Sequence, residues 1–401
     1  MGHHATSLQA SKRLEWIDAV RGLAIFGIFM VNVPAFNAPY FMYGGEEVYW
    51  DSDVSHAIQA FIDMFFQASF YTLFSFLFGF GMYMMKERLI DKGYGWTYKK
   101  ILVRRLVALL CFGLLHGLFL WHGDILFTYG VIGFWLFLFF EREAKTMVRW
   151  AFGLLTVYAI WIGGALFAAK DYLSFVNEEE IVQAIMAYQS GTLGEVLGQV
   201  RHDWLYANGN LFSWILQTFT LLPMFLLGMY FCKKRLLHDV DTHAPMLRKL
   251  WGVSFLFFVS FKIVPYFFGN PEWFQYSLQD SIGGSASAIF YILSVTLLFQ
   301  KRMIHKFFKP FTYVGRLSLS NYILQSIICF FLFYSIGFGW YGDVSPLMSV
   351  VIVVLVYSLQ VYGSYWWLQH FQFGPIEWLW RIITYRTKQP FRRKVLEQAN
   401  E

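Results

Sequence analysis

The residue best suited to chemistry is His116, in the segment CFGLLHGLFLWHGDILFTYG, eight positions before Asp124. Near neutral pH an imidazole can act as a base, a proton carrier or a covalent nucleophile. Asp124 could orient the ring or an acceptor, and Gly117 opens space beside it. The competing reading is a histidine hydrogen-bonded between two helices. His122, in the same turn, reads as a solvated group. A second set lies in RLEWIDAVRGLAIFGIFMVNVP. Asp18 and Arg21 are three apart and can pair on one helical face. Asn32 follows Arg21 by eleven residues, which returns to nearly the same face roughly 16 Å further along a helix. Gly22 and Gly27 would admit a neighbouring helix closely. A third set, GRLSLSNYILQS, places Ser318, Asn321 and Gln325 on one stripe behind Arg316. Hydrogen bonding between helices would also explain that stripe. The fourth, FGPIEWLWR, has a helix start at Gly374–Pro375, an i, i+4 pair in Glu377 and Arg381, and Trp378 and Trp380 suited to a membrane interface. A helix N-terminus beside arginines could hold phosphate, or the segment could simply anchor the chain at the interface.

The elements that position these residues follow from composition. Of 401 residues, 57% are hydrophobic and 14% charged, against about 25% charged in an average soluble domain. That excludes a soluble enzyme, a disordered chain and a collagen-like fibre, and requires a polytopic all-α transmembrane bundle with about 20 apolar residues per span. Ten spans are expected, at about 17–37, 57–85, 101–121, 125–140, 149–169, 211–231, 249–268, 277–299, 318–338 and 345–370. Between them, 172–205 reads as one or two short external amphipathic helices. Residues 371–401 read as a cytoplasmic interfacial helix and basic tail. A charge at the bilayer centre costs about 2.5–3.5 kcal/mol even on the lenient insertion scale, so polar residues inside these spans carry the information.

The charges set the orientation. Lys12 and Arg13 precede span 1, and basic clusters follow spans 2, 4, 6, 8 and 10. The span 1–2 loop has Glu46, Glu47, Asp51 and Asp53 and no Lys or Arg, and the span 5–6 loop is acidic apart from Lys170 and Arg201. Basic loops face the cytoplasm, so both termini are expected on the cytoplasmic side of the membrane. The net charge of +6 therefore reflects cytoplasmic loops and not nucleic-acid binding. Cys111, Cys232 and Cys329 show neither CxxC nor metal-ligand spacing, and read as free thiols. No metal site is expected. The expected partners are membrane lipids, with a homodimer left open.

Five segments, IDAVRGLAIFGIFMVN, FYTLFSFLFGFG, LLHGLFLWHGDILFTYG, GRLSLSNYILQS and FGPIEWLWR, together resemble the YeiB family of bacterial integral membrane proteins, whose function is unknown. That family in turn looks related to transmembrane acyltransferases, the acyltransferase-3 enzymes and heparan-alpha-glucosaminide N-acetyltransferase among them. The resemblance implies acyl-CoA or acetyl-CoA as donor on the cytoplasmic side and an acceptor on the outer side. Acyltransferase-3 enzymes carry an Arg followed eleven residues later by a His in the first helix. Here Arg21 fits, but Asn32 replaces the histidine, and an amide is neither base nor acyl acceptor. On this reading His116 takes the chemical role with Asp124. Asn32, Asn321 and Gln325 would polarise the thioester carbonyl, Arg21 would guard the entrance beside Asp18, and Arg105, Arg316 or Arg381 would hold the phosphates. The alternative is a transporter or flippase in which the same residues line a path and His116 with Asp124 couples to protons. Gly79–Gly81 would then be a helix break. A scaffold whose polar residues only pack helices is the third reading.

The orientation has a direct check. In a background without native cysteines, Glu47→Cys should react with an impermeant maleimide from outside, and Lys92→Cys only after permeabilisation. The reverse pattern, or both on one side, overturns the topology.

Overall fold

The structure, a computed structural model, describes residues 14–174 and 176–393; Lys12, Arg13 and the end of the basic tail lie outside these. Among the described residues the secondary structure is helical, apart from one isolated bridge between Phe371 and Arg392. The main helices are α1 (Glu15–Asn37), α2 (Asp53–Phe65), α3 (Ser69–Asp91), α4 (Tyr98–Phe119), α5 (Leu126–Gly133), α6 (Ala144–Ala168), α7 (Glu178–Ser190) and α8 (Leu193–Asn208). They continue as α9 (Leu211–Lys233), α10 (Val240–Phe258), α11 (Gly284–Phe299), α12 (Arg302–Arg316), α13 (Ser318–Phe333), α14 (Pro346–His370) and α15 (Pro375–Tyr385).

By length and composition, eight described helical segments can cross a membrane, or nine if the bent pair α12–α13 counts as one span. The expected fourth span, 125–140, is α5 with a 3₁₀ extension to Leu138. At roughly 20 Å it falls short of the ~30 Å hydrocarbon thickness. The expected span 57–85 is two helices, broken at Phe66–Ala68, where Ala68 has φ 58°. No break occurs at Gly79–Gly81, because α3 runs unbroken from Ser69 to Asp91.

Gly79 has a packing role. A Cβ there would collide with the Phe225 carbonyl of α9, and one on Gly228 with the Phe76 carbonyl of α3. The two backbones touch because both helices present glycine at the crossing. α1 meets α12 the same way, with Gly22 against Phe311 and Gly315 against Asp18. Gly27 makes room for the Phe70 ring.

The α12–α13 bend is 77°. α12 is amphipathic, burying Phe308 and Val314 while exposing Lys306 and Lys309. The chain turns at Leu317 and enters the bundle as α13. The segment expected to carry external amphipathic helices forms α7 and α8. Asn177 caps α7, and a Thr192–Glu195 capping box starts α8. Ile181, Ala184 and Tyr188 face a second apolar core shared with Phe29, Phe36, Trp121 and Phe333. α7 and α8 thus close one end of the bundle above the polar residues of α1, α4 and α13.

Gly79→Val forces a branched side chain between touching backbones. We expect overpacking to cost about 1–3 kcal/mol, seen as a lower melting temperature of the detergent-solubilised protein. Gly153→Ala, on an open face of α6 with no atom near the added Cβ, serves as the control for a glycine without a packing role.

Candidate functional site

His116 is 2% exposed near the C-terminal end of α4. Its Nδ1 lies 2.9 Å from Asp124 Oδ1, and its Nε2 lies 2.7 Å from Ser326 Oγ on α13. The second Asp124 oxygen accepts the Phe127 backbone N–H at 2.7 Å, at the start of α5. An ionised carboxylate only accepts, so Nδ1 carries the proton of the neutral ring and Nε2 accepts from Ser326. The result is a buried Ser326–His116–Asp124 chain, the arrangement in which a base activates a hydroxyl and a carboxylate fixes its tautomer.

Local sequence explains how this chain closes. Gly113 and Gly117 are four apart on α4, flanking His116. A Cβ on Gly113 would strike the Phe127 backbone and come within 2.7 Å of Asp124 Oδ2; one on Gly117 would meet Trp204 Nε1 at 2.5 Å. The missing side chain at Gly113 therefore lets the α4–α5 turn fold its aspartate back onto the helix it has just left, and the one at Gly117 admits Trp204 of α8. The His116 ring also lies 5.1 Å from that of Tyr322, one turn before Ser326.

Beside this chain is a cavity of about 10 Å³, walled by Phe29, Asn32, Phe36, Trp121, Tyr322, Gln325, Ser326 and Cys329. It has room for about one water molecule. Asn32 and Gln325 thus converge with the histidine chain, as the sequence reading required. Ser326 is the residue that reading missed. It is the last letter of GRLSLSNYILQS, one position beyond Gln325 and 210 residues from its partner His116. Its signal was weak, since serine is common inside membrane helices and usually bonds its own backbone.

Asn321 belongs to a zipper between α13 and α14. Its Nδ2 donates to Ser364 Oγ at 3.0 Å, and its backbone carbonyl accepts Gln360 Nε2 at 2.9 Å. The carbonyl fixes which end of Gln360 is nitrogen, so Gln360 Oε1 accepts from Gln325 Nε2 at 2.9 Å. Two of the three amides expected to polarise a thioester, Asn321 and Gln325, therefore have their donors engaged, and Asn321 holds helices together. Gln325 keeps a buried Oε1 without a hydrogen bond, and Asn32 is the amide left at the cavity. Ser318 opens α13, across the bend from Arg316, which closes α12.

Glu377, expected to work with Arg381, caps α13. Its Oε1 accepts the backbone N–H groups of Leu319 and Ser320 at 2.7 and 3.0 Å, and the Ser320 hydroxyl bonds its other oxygen. These are N–H groups that a helix start leaves without intrahelical partners. Burial pushes the Glu377 carboxyl pKa up, and these donors only partly reverse it. Arg381 lies over the Phe373 ring at 4.4 Å.

Asp18 and Arg21 pair as expected, with 3.7 Å between Oδ1 and Nη1; Asp18 is buried and Arg21 half-buried. Arg105 lies 3.5 Å over the Trp380 ring, its carbonyl accepts Trp380 Nε1 at 2.9 Å, and its charge is felt by Arg381 and Arg21. Arg21, Arg105 and Arg381 thus share one end of the bundle. His122 is not solvated: its Nδ1 lies 3.7 Å from the buried Asp203, and burial holds its pKa below the usual range although Asp203 opposes this. Asp203 also accepts from Tyr43, Tyr188 and Gln199, fastening α7 and α8 over the site.

A second charged group also escaped the sequence reading. Lys262, fully buried, donates to Gln67 O at 3.0 Å and pairs with Asp280 at 3.5 Å; Asp63 accepts nearby from Tyr266 and Gln275. Both Lys262 and Asp280 stand on π-helical segments, Val259–Ile263 and Gln275–Gly283.

Glu377→Ala strips the α13 start of its acceptor. By analogy with lost N-caps we expect about 1–2 kcal/mol of destabilisation, read as a lower melting temperature. Glu377→Gln, which keeps an acceptor oxygen, should recover part of it.

A family model described as "Protein of unknown function (DUF418)" matches residues 231–387. The chain is 34% identical over 403 residues to the uncharacterized protein YxaH of Bacillus subtilis (strain 168), covering 96% of this chain and 97% of the relative. It is 28% identical over 407 residues to the uncharacterized protein YeiB of Escherichia coli (strain K12), covering 93% and 97%. An uncharacterized 39.9 kDa protein of Bacillus acidopullulyticus, encoded in the amylase 3′ region, is 25% identical over 392 residues, covering 96% and 97%.

Proposed function

The chain belongs to the YeiB family, described as DUF418, and from that premise we propose that it is an acyltransferase of the bacterial cell membrane. With both termini cytoplasmic, it would move an acyl group from acyl-CoA inside to a hydroxyl or amine acceptor at the outer face. The observation that carries this reading is the buried His116–Asp124 pair, whose Nε2 addresses a hydroxyl at the edge of a cavity.

Helix geometry supports the direction of transfer. Arg21 and Asn32 on α1 are eleven residues apart, and so are Arg105 and His116 on α4. Each interval spans about 16 Å and returns to nearly the same face. The arginines share an electrostatic neighbourhood. At the other end, Asn32 and Ser326, the partner of His116, share one cavity. Two parallel helices thus run from a basic mouth to a polar centre. The phosphates of a nucleotide thioester suit the mouth, where Arg is the better phosphate binder, and its flexible arm suits the channel direction. At the centre, His116 removes the acceptor's proton and Asp124 stabilises the imidazolium that forms. Asn32 supplies the amide facing the thioester carbonyl. A cavity of one water's size requires the aromatic wall of Phe29, Phe36 and Trp121 to move when acyl groups enter.

The second reading, a transporter, draws on the Lys262–Asp280–Asp63 group, because ionisable residues inside a span mark functional paths by default.

The test is thiol release from acetyl-CoA by protein in nanodiscs, with and without small hydroxyl and amine acceptors. Wild type should release thiol. His116→Ala should lose it by about 100-fold or more while retaining acetyl-CoA binding. Normal turnover in His116→Ala removes His116 from the chemistry, and no thiol release from wild type defeats the acyltransferase reading. Solute uptake lost in Lys262→Met, with no thiol release from wild type, supports the transporter.

A further inference from the structure

The wall of the cavity is formed by Ser326, not by His116, which stands behind it. We propose that Ser326 is the covalent acyl carrier of this protein, alternately esterified and released with His116 as its base and acid. The inference rests on the acyl-transfer reading and adds the nucleophile to it.

Three observations support it. First, the Ser326 hydroxyl has turned away from its own helix. Ser75, Thr296 and Ser358 bond the carbonyl four residues back at 2.8, 2.7 and 2.7 Å. Ser326 stands 3.5 Å from Tyr322 O but 2.7 Å from His116 Nε2. A hydroxyl has one proton, and here the imidazole takes it. Second, both ring nitrogens of His116 are engaged, so an acyl group could reach Nε2 only by displacing Ser326. Third, the cavity supplies matching partners on either side of Ser326. Asn32 offers an amide toward a carbonyl oxygen, and Gln325 offers a buried Oε1 that lacks a donor. An acceptor hydroxyl or amine is such a donor.

The chemistry balances in two halves. Ser326 Oγ attacks the thioester carbonyl, its proton passes to His116 Nε2, and the C–S bond breaks. The departing CoA sulfur takes that proton, leaving a seryl ester. The acceptor, held by Gln325 Oε1, then gives its proton to Nε2 and attacks the ester carbonyl. The C–Oγ bond breaks and Oγ recovers the proton. Asp124 remains ionised, holding Nδ1–H throughout. Oxidation states do not change, and acyl-CoA and a hydroxyl or amine are the reactants.

Two probes separate this inference from the reading beneath it. A fluorophosphonate phosphonylates histidine-activated serines and needs no acyl donor; acetyl-CoA with an acid quench and peptide mass spectrometry finds an acetyl ester. Both should mark Ser326 in the full chain in nanodiscs. Ser326→Ala should lose both marks and thiol release, and His116→Ala should slow each by about 100-fold or more. Ser326→Cys, a second variant of similar volume, should carry the acetyl group as a hydroxylamine-labile thioester. If Ser326→Ala releases thiol at the wild-type rate while His116→Ala does not, transfer is direct and the covalent carrier is overturned, with the acyltransferase reading intact. Fluorophosphonate labelling of Ser326 without thiol release from acetyl-CoA keeps the nucleophile and overturns the donor. Neither signal in wild type overturns both.

Discussion

The constraint that organises the centre of this protein is the hydrogen-bond demand of one buried carboxylate. Asp124 is buried, and a buried carboxylate is tolerated only when paired and fully bonded. His116 Nδ1 serves one oxygen and the Phe127 N–H the other. Meeting that demand dictates the tight α4–α5 turn and the glycine at 113. The short α5 follows too, because it begins where the aspartate needs its N–H. Once Asp124 is satisfied, the His116 tautomer is settled and Nε2 can only look for a proton donor. Ser326 provides it.

Placing Ser326 within 2.7 Å of that nitrogen needs α13 to be fixed in rotation and height. Two polar systems do this. Glu377 binds the first N–H groups of α13 and sets its height. The Asn321–Gln360–Gln325 zipper locks its rotation against α14, and Tyr357 ties α14 to the Gly22 carbonyl of α1. In an apolar surround the hydrophobic effect does not choose a helix rotation, because every face is greasy. Hydrogen bonds and small residues choose it. The residues that read as candidate site groups in sequence thus divide into those that meet at the cavity and its histidine chain, Asn32, Gln325, His116 and Asp124, and several that hold the bundle in register.

The helical architecture was legible because twenty-residue apolar runs have one cheap solution in lipid. The His116–Asp124 contact was legible because eight residues and a glycine-bearing turn keep it local. Ser326 was not, since a contact across 210 residues leaves no spacing to read. Lys262 was also hidden: it stands inside a largely apolar span, and its partners Gln67 and Asp280 come from distant parts of the chain. The span count slipped at 125–140, where the helix is too short to cross, and the outlines of the spans slipped where backbone irregularity replaced a straight helix. At Ala68 the chain turns left-handed, against Gly284, where a Cβ would come within 2.8 Å of the Ala68 Cβ. At Leu317 it bends. Neither has a proline at the break, so a hydropathy pattern passes over them.

The two buried ionic groups differ in what explains them. Lys262 donates to the carbonyl of Gln67 inside the α2–α3 break, one of the backbone acceptors that a broken helix leaves unpaired. Asp280 neutralises the ammonium. That accounts for the charge as the means by which a helix can break next to a membrane core. The His116 group has no such structural task. No helix breaks there, the turn would need only the Asp124–Phe127 cap, and a packing histidine needs one bond rather than two. A third member whose hydroxyl leaves its own helix adds ordering cost without closing any gap in the backbone ledger. Its geometry is the one that the proposed proton transfer between Ser326 and an Asp124-held imidazole requires, at the meeting of α1, α4 and α13.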